Sequence, residues 1–314
     1  MSALGNLLKP IFGVSEQFTS FNEEDRQAAQ RLKTVVRAVT KGCQITLQTG
    51  RSEILINRLN AFDVELRGYA YEGAGIALAA LDSFLPWGNR TRAFLDGPGS
   101  AFIYAVPLGA GMGLARLRRK PEKFLARLDP VLGWLILDGY GFHEGFFSPK
   151  RALKRQEVPA HLSSYGRRVF DHGLGRSIWF TSSSNVEHVA EMIATFPRAR
   201  RADLWSGVGL ACGYTGGVNE KAIETLKDLV GIYSAHLSMG VAIAANARHT
   251  VGNPSYYVEL ACEVLCGVSS DVASQMVDVA RENLPPDGIE PAYEVWRRRL
   301  VDQFAAASTK EVRP

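Results

Sequence analysis

Three ionisable residues in glycine- and aromatic-rich surroundings are the first candidates for chemistry in this sequence. Glu72 lies in YAYEGAG, and the adjacent His143 and Glu144 lie in GYGFHEGFF. Glycines along an apolar helix let neighbouring backbones approach closely, so these segments are expected in the interior. A carboxylate there must be protonated, paired or hydrogen-bonded, and burial raises its pKa toward the range of general acids and bases. We therefore predict Glu72, His143 and Glu144 as catalytic proton-transfer residues.

The same residues also have a purely structural interpretation. Glu72 and Glu144 could form ion pairs with Arg176 or another arginine, and His143 could be a core histidine whose hydrogen bonds are satisfied. The two glutamates occupy corresponding places in an internal repeat. Duplication preserves a packing role as readily as a chemical one, so the repeat leaves both interpretations open.

An apolar pocket is expected around these candidates, because aromatic faces suit unsaturated chains. The residues predicted to line it and bind substrate are Tyr69, Tyr71, Tyr140, Phe142, Arg176, Trp179 and Tyr214.

Motifs for other chemistries are missing from the sequence. GxxxxGK[ST] and GxSxG do not occur, and GPGSAF and GLGRSI are too short for a dinucleotide-binding fingerprint. Di-iron helical bundles use Glu-x-x-His pairs, which this chain lacks. Adjacent residues on a helix point about 100° apart, so His143 and Glu144 could not easily bind one ion. We predict no metal and no cofactor. The other candidate metal sets are Glu187 and His188 with Glu191, and Glu259 with Glu263 on one helix face. A structural pair that contacts arginines explains Glu259 and Glu263 as well.

Composition describes an ordinary globular protein of 314 residues, with 46% apolar residues and a net charge of +4. No apolar run reaches the roughly 20 residues that span a bilayer, and the N-terminus lacks the features of a signal peptide. We expect a cytoplasmic protein without a membrane span. The basic clusters at 116–120, 198–201 and 296–300 have no interleaved aromatics, so solvated helix ends are favoured over nucleic-acid binding.

Periodicity predicts a mainly α fold. One amphipathic helix follows FNEEDRQ. The other helical windows are 53–83, 121–147, 184–195, 203–214, 221–247, 254–266, 270–283 and 290–306. Two short runs, AFIYAV at 101–106 and RSIWFTS at 176–182, are compatible with strands or with helix starts.

A repeat of about seventy residues organises these segments. Gly-Tyr recurs at Gly68, Gly139 and Gly213, at intervals of 71 and 74 residues, and FxxGxG occurs at 94–99 and 170–175. Such a period favours duplicated helical modules packed side by side. We predict one domain over 1–314, with repeats at about 51–120, 121–200 and 201–267 and C-terminal helices at 270–306, and glycine-rich helices packed tightly inside.

Four segments resemble a known family. They are YEGAGIALAALD (71–82), LDGYGFHEGFF (137–147), GLGRSIWF (173–180) and ARRADLWSGVGLACGYTGG (199–217). They are similar to the bacterial domain-of-unknown-function family 1702, the family associated with enediyne biosynthesis. The similarity runs from about residue 25 to about residue 305. It implies a role in maturing an unsaturated linear polyketide, and it brings no catalytic residues with it.

Two functions are therefore compared. The first is an enzyme that holds a hydrophobic, polyketide-derived polyene and moves protons during isomerisation, cyclisation or dehydration. The second is a non-catalytic carrier that shelters the same kind of intermediate. Both could work with biosynthetic partner proteins. A structural scaffold, the third alternative, predicts an interior packed solid by its glycines.

Overall fold

The chain is described here from a computed structural model that covers residues 21, 25–49, 52–84 and 88–311, with side chains up to residue 307. The N-terminal segment and residue 51, where the first repeat was predicted to begin, lie outside these residues.

Fourteen α-helices form the described part of the chain, joined by short 3₁₀ and π turns. They are α1 (Arg26–Gln48), α2 (Ser52–Asn60), α3 (Val64–Phe84), α4 (Arg90–Leu95), α5 (Ala105–Arg116), α6 (Leu135–Phe147), α7 (Ser164–Thr181), α8 (Val186–Ala194), α9 (Arg198–Thr215), α10 (Glu220–Val230), α11 (Ser234–Thr250), α12 (Tyr256–Ala261), α13 (Ser270–Arg281) and α14 (Ala292–Glu311).

The prediction of a mainly α, single-domain fold with tightly packed glycine helices is confirmed. No strand occurs among the residues described. The run at 101–106 forms a 3₁₀ turn and the start of α5, and the run at 176–182 ends α7. The sequence of both runs was compatible with a strand or a helix, because aromatic and β-branched residues also occur in buried helices.

The predicted helix at 121–147 is α-helical only in its second half. Residues Pro121–Arg127 form a 3₁₀ turn, and α6 begins at Leu135. Pro130 lies between the two, and proline lacks the N–H that a continuous helix needs there. The Asp129 carboxylate instead accepts the backbone N–H groups of Val131 and Leu132.

Six helix–helix interfaces share one glycine arrangement. At the α3–α5 interface, a Cβ built on Gly75 would meet the carbonyl oxygen of Val106, and one on Gly109 would meet that of Glu72, each closer than 3.0 Å. Each glycine thus faces the carbonyl three residues before its partner. The six pairs are Gly42–Gly73, Gly75–Gly109, Gly111–Gly139, Gly141–Gly173, Gly175–Gly207 and Gly209–Gly240.

These pairs arise from a G-x-G motif that recurs on single helices. Its first glycines are Gly73, Gly109, Gly139, Gly173 and Gly207, at intervals of 30 to 36 residues, and the two glycines of each motif face the preceding and the following helix. The contacts therefore repeat about twice as often as the predicted seventy-residue unit. The boundaries given for those units stay a prediction.

Helices joined by a glycine pair run in roughly the same direction, as contacts between their N-terminal parts show for two of the pairs. Near their N-termini, Arg31 of α1 pairs with Glu65 of α3, and Arg168 of α7 pairs with Asp203 of α9.

The glycine pairs link α1, α3, α5, α6, α7, α9 and α11 into one series in that order. Between helices four steps apart in this series, the start of one helix contacts the end of the other. Tyr69 near the start of α3 donates a hydrogen bond to the Tyr214 carbonyl at the end of α9, at 2.9 Å. Tyr104, just before α5, donates one to Asn246 near the end of α11, at 2.7 Å. The helix direction thus turns progressively until the series closes around a centre.

One helical stretch among the described residues, Glu220–Thr250, is long and apolar enough to cross a membrane, and most of its apolar window is buried inside the fold. A bent pair, Tyr256–Cys266 and Ser270–Arg281, passes the same test only if its two helices are counted together. All four cysteines are free thiols, and Cys266 alone among them is partly exposed.

Candidate functional site

A cavity of about 100 Å³ lies where the glycine helices converge. Helices α1, α3, α5, α6, α7, α9 and α11 all contribute to its wall. Most of the lining is apolar or aromatic, and it includes Val35, Val36, Val39, Cys43, Ile76, Leu108, Met112, Leu135, Phe142, Phe146, Phe147, Phe180, Leu210 and Ile243. The interior is therefore not packed solid, as the scaffold alternative would require.

A few polar side chains interrupt this apolar wall. The charged or titratable ones are Glu72, Arg116, His143 and Arg176. The hydroxyl-bearing ones are Thr40, Tyr69, Tyr104, Tyr214 and Thr215. Few convergent polar groups in an apolar cavity are typical of a small-molecule site, where they orient the ligand and supply chemistry.

A buried chain of ionisable side chains runs from the cavity into the protein. Arg176 donates hydrogen bonds to Glu72 Oε1 at 3.3 Å and to Asp138 Oδ1 at 2.5 Å. Asp138 also hydrogen-bonds to Nδ1 of His172 through its other oxygen. All four side chains are buried, and Asp138 has no exposed surface. Glu72 and Arg176 form the end of this chain that faces the cavity.

The pKa values of the two carboxylates in this network are shifted in opposite directions. Burial raises the pKa of Glu72, and the single hydrogen bond from Arg176 does not offset it. Burial also acts to raise the pKa of Asp138, but Arg176 and His172 together hold that pKa below its usual value. Asp138 is therefore the fixed counterion of Arg176, whereas the raised pKa of Glu72 makes it hold a proton more readily than an ordinary glutamate.

His143 is a neutral imidazole on the cavity wall. Burial, together with the charges of Arg116 and Arg151, lowers its pKa to about 3. Neither ring nitrogen has a hydrogen-bond partner among the described residues. The nearest carboxylate oxygen, on Glu144, is 3.5 Å from Nδ1, and the Phe147 ring lies 4.8 Å away between centroids. As a neutral ring, His143 thus keeps a lone pair on one nitrogen, and no hydrogen-bond donor among the described residues occupies it.

Six of the predicted residues lie on the cavity wall. They are Tyr69, Glu72, Phe142, His143, Arg176 and Tyr214. The sequence interpretation that paired Glu72 with Arg176 is also correct. The two interpretations of Glu72 are thus compatible, because its ion pair lies at the cavity.

The other predicted residues lie elsewhere. Glu144 is bound by Arg151, away from the lining. Tyr71 stacks on Phe102 and donates a hydrogen bond to Asn60 at 3.0 Å.

Tyr140 and Trp179 serve the packing of other parts of the fold. Tyr140 packs against His161, with ring centroids 5.9 Å apart. Trp179 is fully buried and donates its indole N–H to the Gly216 carbonyl at 3.2 Å.

Sequence reasoning missed Asp138 and His172, although a signal for both exists. The residue directly before the first glycine of each G-x-G motif is Glu72, Asp138 and His172 on α3, α6 and α7. The three side chains belong to one network, in which Arg176 joins Glu72 to Asp138 and Asp138 binds His172. Aligning the motifs helix by helix would have grouped these three residues, but not Arg176.

In the part of the chain that is described, no group of three or more His, Cys, Asp or Glu side chains is placed to hold a metal ion.

The relationship to other proteins rests on one match. The family model "Protein of unknown function (DUF1702)" matches residues 7–304. The chain belongs to the DUF1702 family. No curated protein and no solved structure matches it. The DUF1702 match includes every helix that lines the cavity, so the site lies within the part of the chain that defines the family.

Proposed function

We propose that this DUF1702 protein binds an elongated, unsaturated apolar molecule and transfers protons on it, in an isomerisation or cyclisation reaction. The pathway we assign is the biosynthesis of an enediyne or related polyketide, which rests on the resemblance described above. A hydrophobic, polyketide-derived polyene fits this assignment as the substrate.

One observation carries the proposal: a carboxyl group of raised pKa and a neutral imidazole share the wall of one apolar cavity. Glu72 supplies the acid, because burial raises its pKa. His143 supplies the base, because its lowered pKa keeps it uncharged. An acid and a base whose environments set opposite roles are the requirement for paired proton transfer.

The reaction balances without an oxidant or reductant. The Glu72 carboxyl donates its proton to one carbon of the conjugated chain, leaving a delocalised cation. His143 then removes a proton from another carbon, so that a double bond moves or a ring closes. A carbocation is a strong acid, so a weak base suffices for the second step. The faces of Phe142 and Phe180, both on the wall, stabilise positive charge in between.

The cavity volume constrains how such a chain is bound. Pockets for drug-sized ligands enclose about 300–1,000 Å³, and this cavity of about 100 Å³ is smaller. A long chain would therefore enter with rearrangement of flexible lining side chains such as Met112.

A carrier without catalysis is the second candidate, and the ion pair favours it. Arg176 donates to Glu72, so Glu72 also serves to neutralise a buried arginine. A carrier would need the apolar wall and no proton transfer.

The two functions separate in one experiment with cis-parinaric acid, a conjugated polyene that fluoresces in apolar surroundings. We expect the wild type to bind it and then to change its absorption spectrum as double bonds shift. Glu72→Gln and His143→Gln should bind it without the spectral change, while the control Glu144→Gln, outside the lining, should behave as wild type. Binding without any spectral change by the wild type would favour the carrier over the enzyme. Absence of binding would overturn both candidates.

A further inference from the structure

Two short segments concentrate the positive charge of this protein. Residues 116–120 contain Arg116, Arg118, Arg119 and Lys120, and residues 150–155 contain Lys150, Arg151, Lys154 and Arg155. We call these eight residues the basic collar. No acidic residue occurs in either segment. The rest of the chain holds 28 basic and 32 acidic residues and is therefore net negative.

The two segments meet at the C-terminal ends of α5 and α6. The Arg116 guanidinium lies over the Phe147 ring, 5.9 Å from its centroid, and Arg151 binds Glu144 on the same last turn of α6. The charges of Arg118 and Arg151 both act on Tyr140, whose ring packs against His161, and Lys120 acts on His161. The basic collar is therefore one surface in three dimensions.

This surface borders an exposed part of the cavity wall. Arg116 lines the cavity and is exposed, and the wall residues Phe147, Val36, Val39, Thr40 and Tyr214 are partly exposed. An apolar chain entering beside Arg116 would pass through the basic collar. A partner that remained outside would rest against arginine and lysine side chains.

The chemistry of the collar distinguishes among anionic partners. Proteins that bind membranes peripherally combine basic residues with exposed apolar side chains that insert between lipids. The large apolar side chains exposed in the described residues are Ile54, Val64, Phe84, Leu229, Ile232, Tyr256, Val272, Val279 and Ile289. None of them lies in the segments 116–120 and 150–155, and Phe147 beside Arg116 is only partly exposed. Basic segments with no fully exposed large apolar side chain favour an acidic protein surface over a lipid surface.

We propose that the basic collar docks a small acidic carrier protein, which inserts its covalently attached apolar chain into the cavity. This inference rests on the proposed function, because it assumes that the cavity takes such a chain. Acidic side chains of the carrier would meet the collar, and long-range attraction would orient the complex before the chain enters.

The test uses hexadecanoyl acyl carrier protein as the probe and the full chain with three exposed collar residues reversed, Arg119→Glu, Lys150→Glu and Lys154→Glu. The matched control carries the same charge change at exposed sites outside the collar, Arg58→Glu, Lys221→Glu and Lys227→Glu. We expect the collar variant to bind the loaded carrier protein at least about tenfold more weakly than the wild type, and the control to change much less. Raising the salt concentration should weaken wild-type binding through screening.

Parinaric acid binding, measured on the same three proteins, separates failure of this inference from failure of the proposed function. The free acid should bind all three alike, and its failure to bind the wild type would count against the proposed function. Equal binding of the loaded carrier by collar variant and wild type, or none by the wild type, would overturn the docking inference. Collar-dependent binding to anionic phosphatidylglycerol vesicles, without binding to the loaded carrier, would overturn it in favour of a membrane surface.

Discussion

Asp138 is the residue on which the buried network depends. It is fully buried, pairs with Arg176 and His172, and has its pKa held low by both. Glu72 makes one longer hydrogen bond to the same arginine, and its pKa is raised. Both carboxylates accept a hydrogen bond from Arg176. Asp138 nevertheless has the structural role, whereas Glu72 remains available for chemistry.

We therefore expect Asp138→Asn to destabilise the fold much more than Glu72→Gln. Removing the Asp138 charge leaves Arg176 without its main counterion, which costs about 3–5 kcal/mol for buried pairs. Glu72→Gln resembles the protonated acid and removes roughly one hydrogen bond, about 1 kcal/mol. Denaturant unfolding of both variants measures the difference. Equal losses would show that Glu72 is a structural counterion of the same rank.

His143 makes stability depend on pH in a defined direction. Its pKa falls from 6.5 to about 3 on folding, so the unfolded chain binds the proton more tightly between these values. The contribution of neutral His143 to the free energy of unfolding is fully present above pH 6.5 and is lost as the pH falls toward 3.

Replacing His143 by Phe should remove this contribution. Between pH 6 and pH 4, the free energy of unfolding of the wild type should fall relative to the variant by about 1.4 kcal/mol per pH unit. Unfolding curves of both proteins across this range give the slope. A constant difference would mean that His143 titrates normally and is accessible to water.

At the scale of single helices, the glycine pairs determine how closely the backbones approach. Each glycine costs about 1 kcal/mol of helix stability relative to alanine, so its presence requires compensation. Contact between a Cα–H group and the facing carbonyl, together with close packing, provides it.

Gly141→Ala tests this arrangement. A Cβ there would overlap the Phe170 carbonyl oxygen, a backbone atom that cannot move aside without shifting α7. We expect a loss of more than about 4 kcal/mol, or a failure to fold. Gly288→Ala is the control, because nothing lies within 4 Å of its Cβ and its φ is not in the left-handed region. It should change stability by about 0.5 kcal/mol or less. Comparable losses in both would refute the packing role.

The positions of most helices along the chain could be predicted from the sequence, but the side of each helix that faces the cavity could not. Amphipathic helices such as α1 show a clear apolar stripe, whereas α3 is buried on every side from Gly68 to Asp82. A helix that is apolar all round carries no periodic signal for the side that faces a cavity. That is why Tyr71 was predicted beside Tyr69 and instead packs against Phe102. The two glycines that the Gly-Tyr alignment matches also have different neighbours, since Gly68 faces the Tyr214 hydroxyl while Gly139 faces a backbone carbonyl.

At the scale of the whole molecule, the cavity results from closure of the helix series. No single helix or adjacent pair encloses it, and residues from Val35 to Ala247 contribute to one wall. Binding at this site is therefore a property of the closed fold.

Filling the cavity should separate ligand binding from folding. Ala211 lines it, so Ala211→Met should leave stability unchanged or raise it, and should weaken parinaric acid binding. Ala244 is a buried alanine that does not line the cavity. The same change there should cost about 1–3 kcal/mol through overpacking. Thermal unfolding and fluorescence titration of both variants measure these effects. Equal destabilisation would indicate that the cavity is closed in solution.

The similarity of the six glycine interfaces makes the helices nearly interchangeable at their crossing points. At each crossing point a glycine of one helix faces a backbone carbonyl of its neighbour. A helix could therefore pack against the wrong neighbour with little loss of contact at that point. Correct order must come from the flanking pairs, such as Arg31 with Glu65 and Arg168 with Asp203, and from the limited reach of the connections. Misassembly in the wrong order, rather than loss of apolar burial, is the hazard this chain must avoid as it folds.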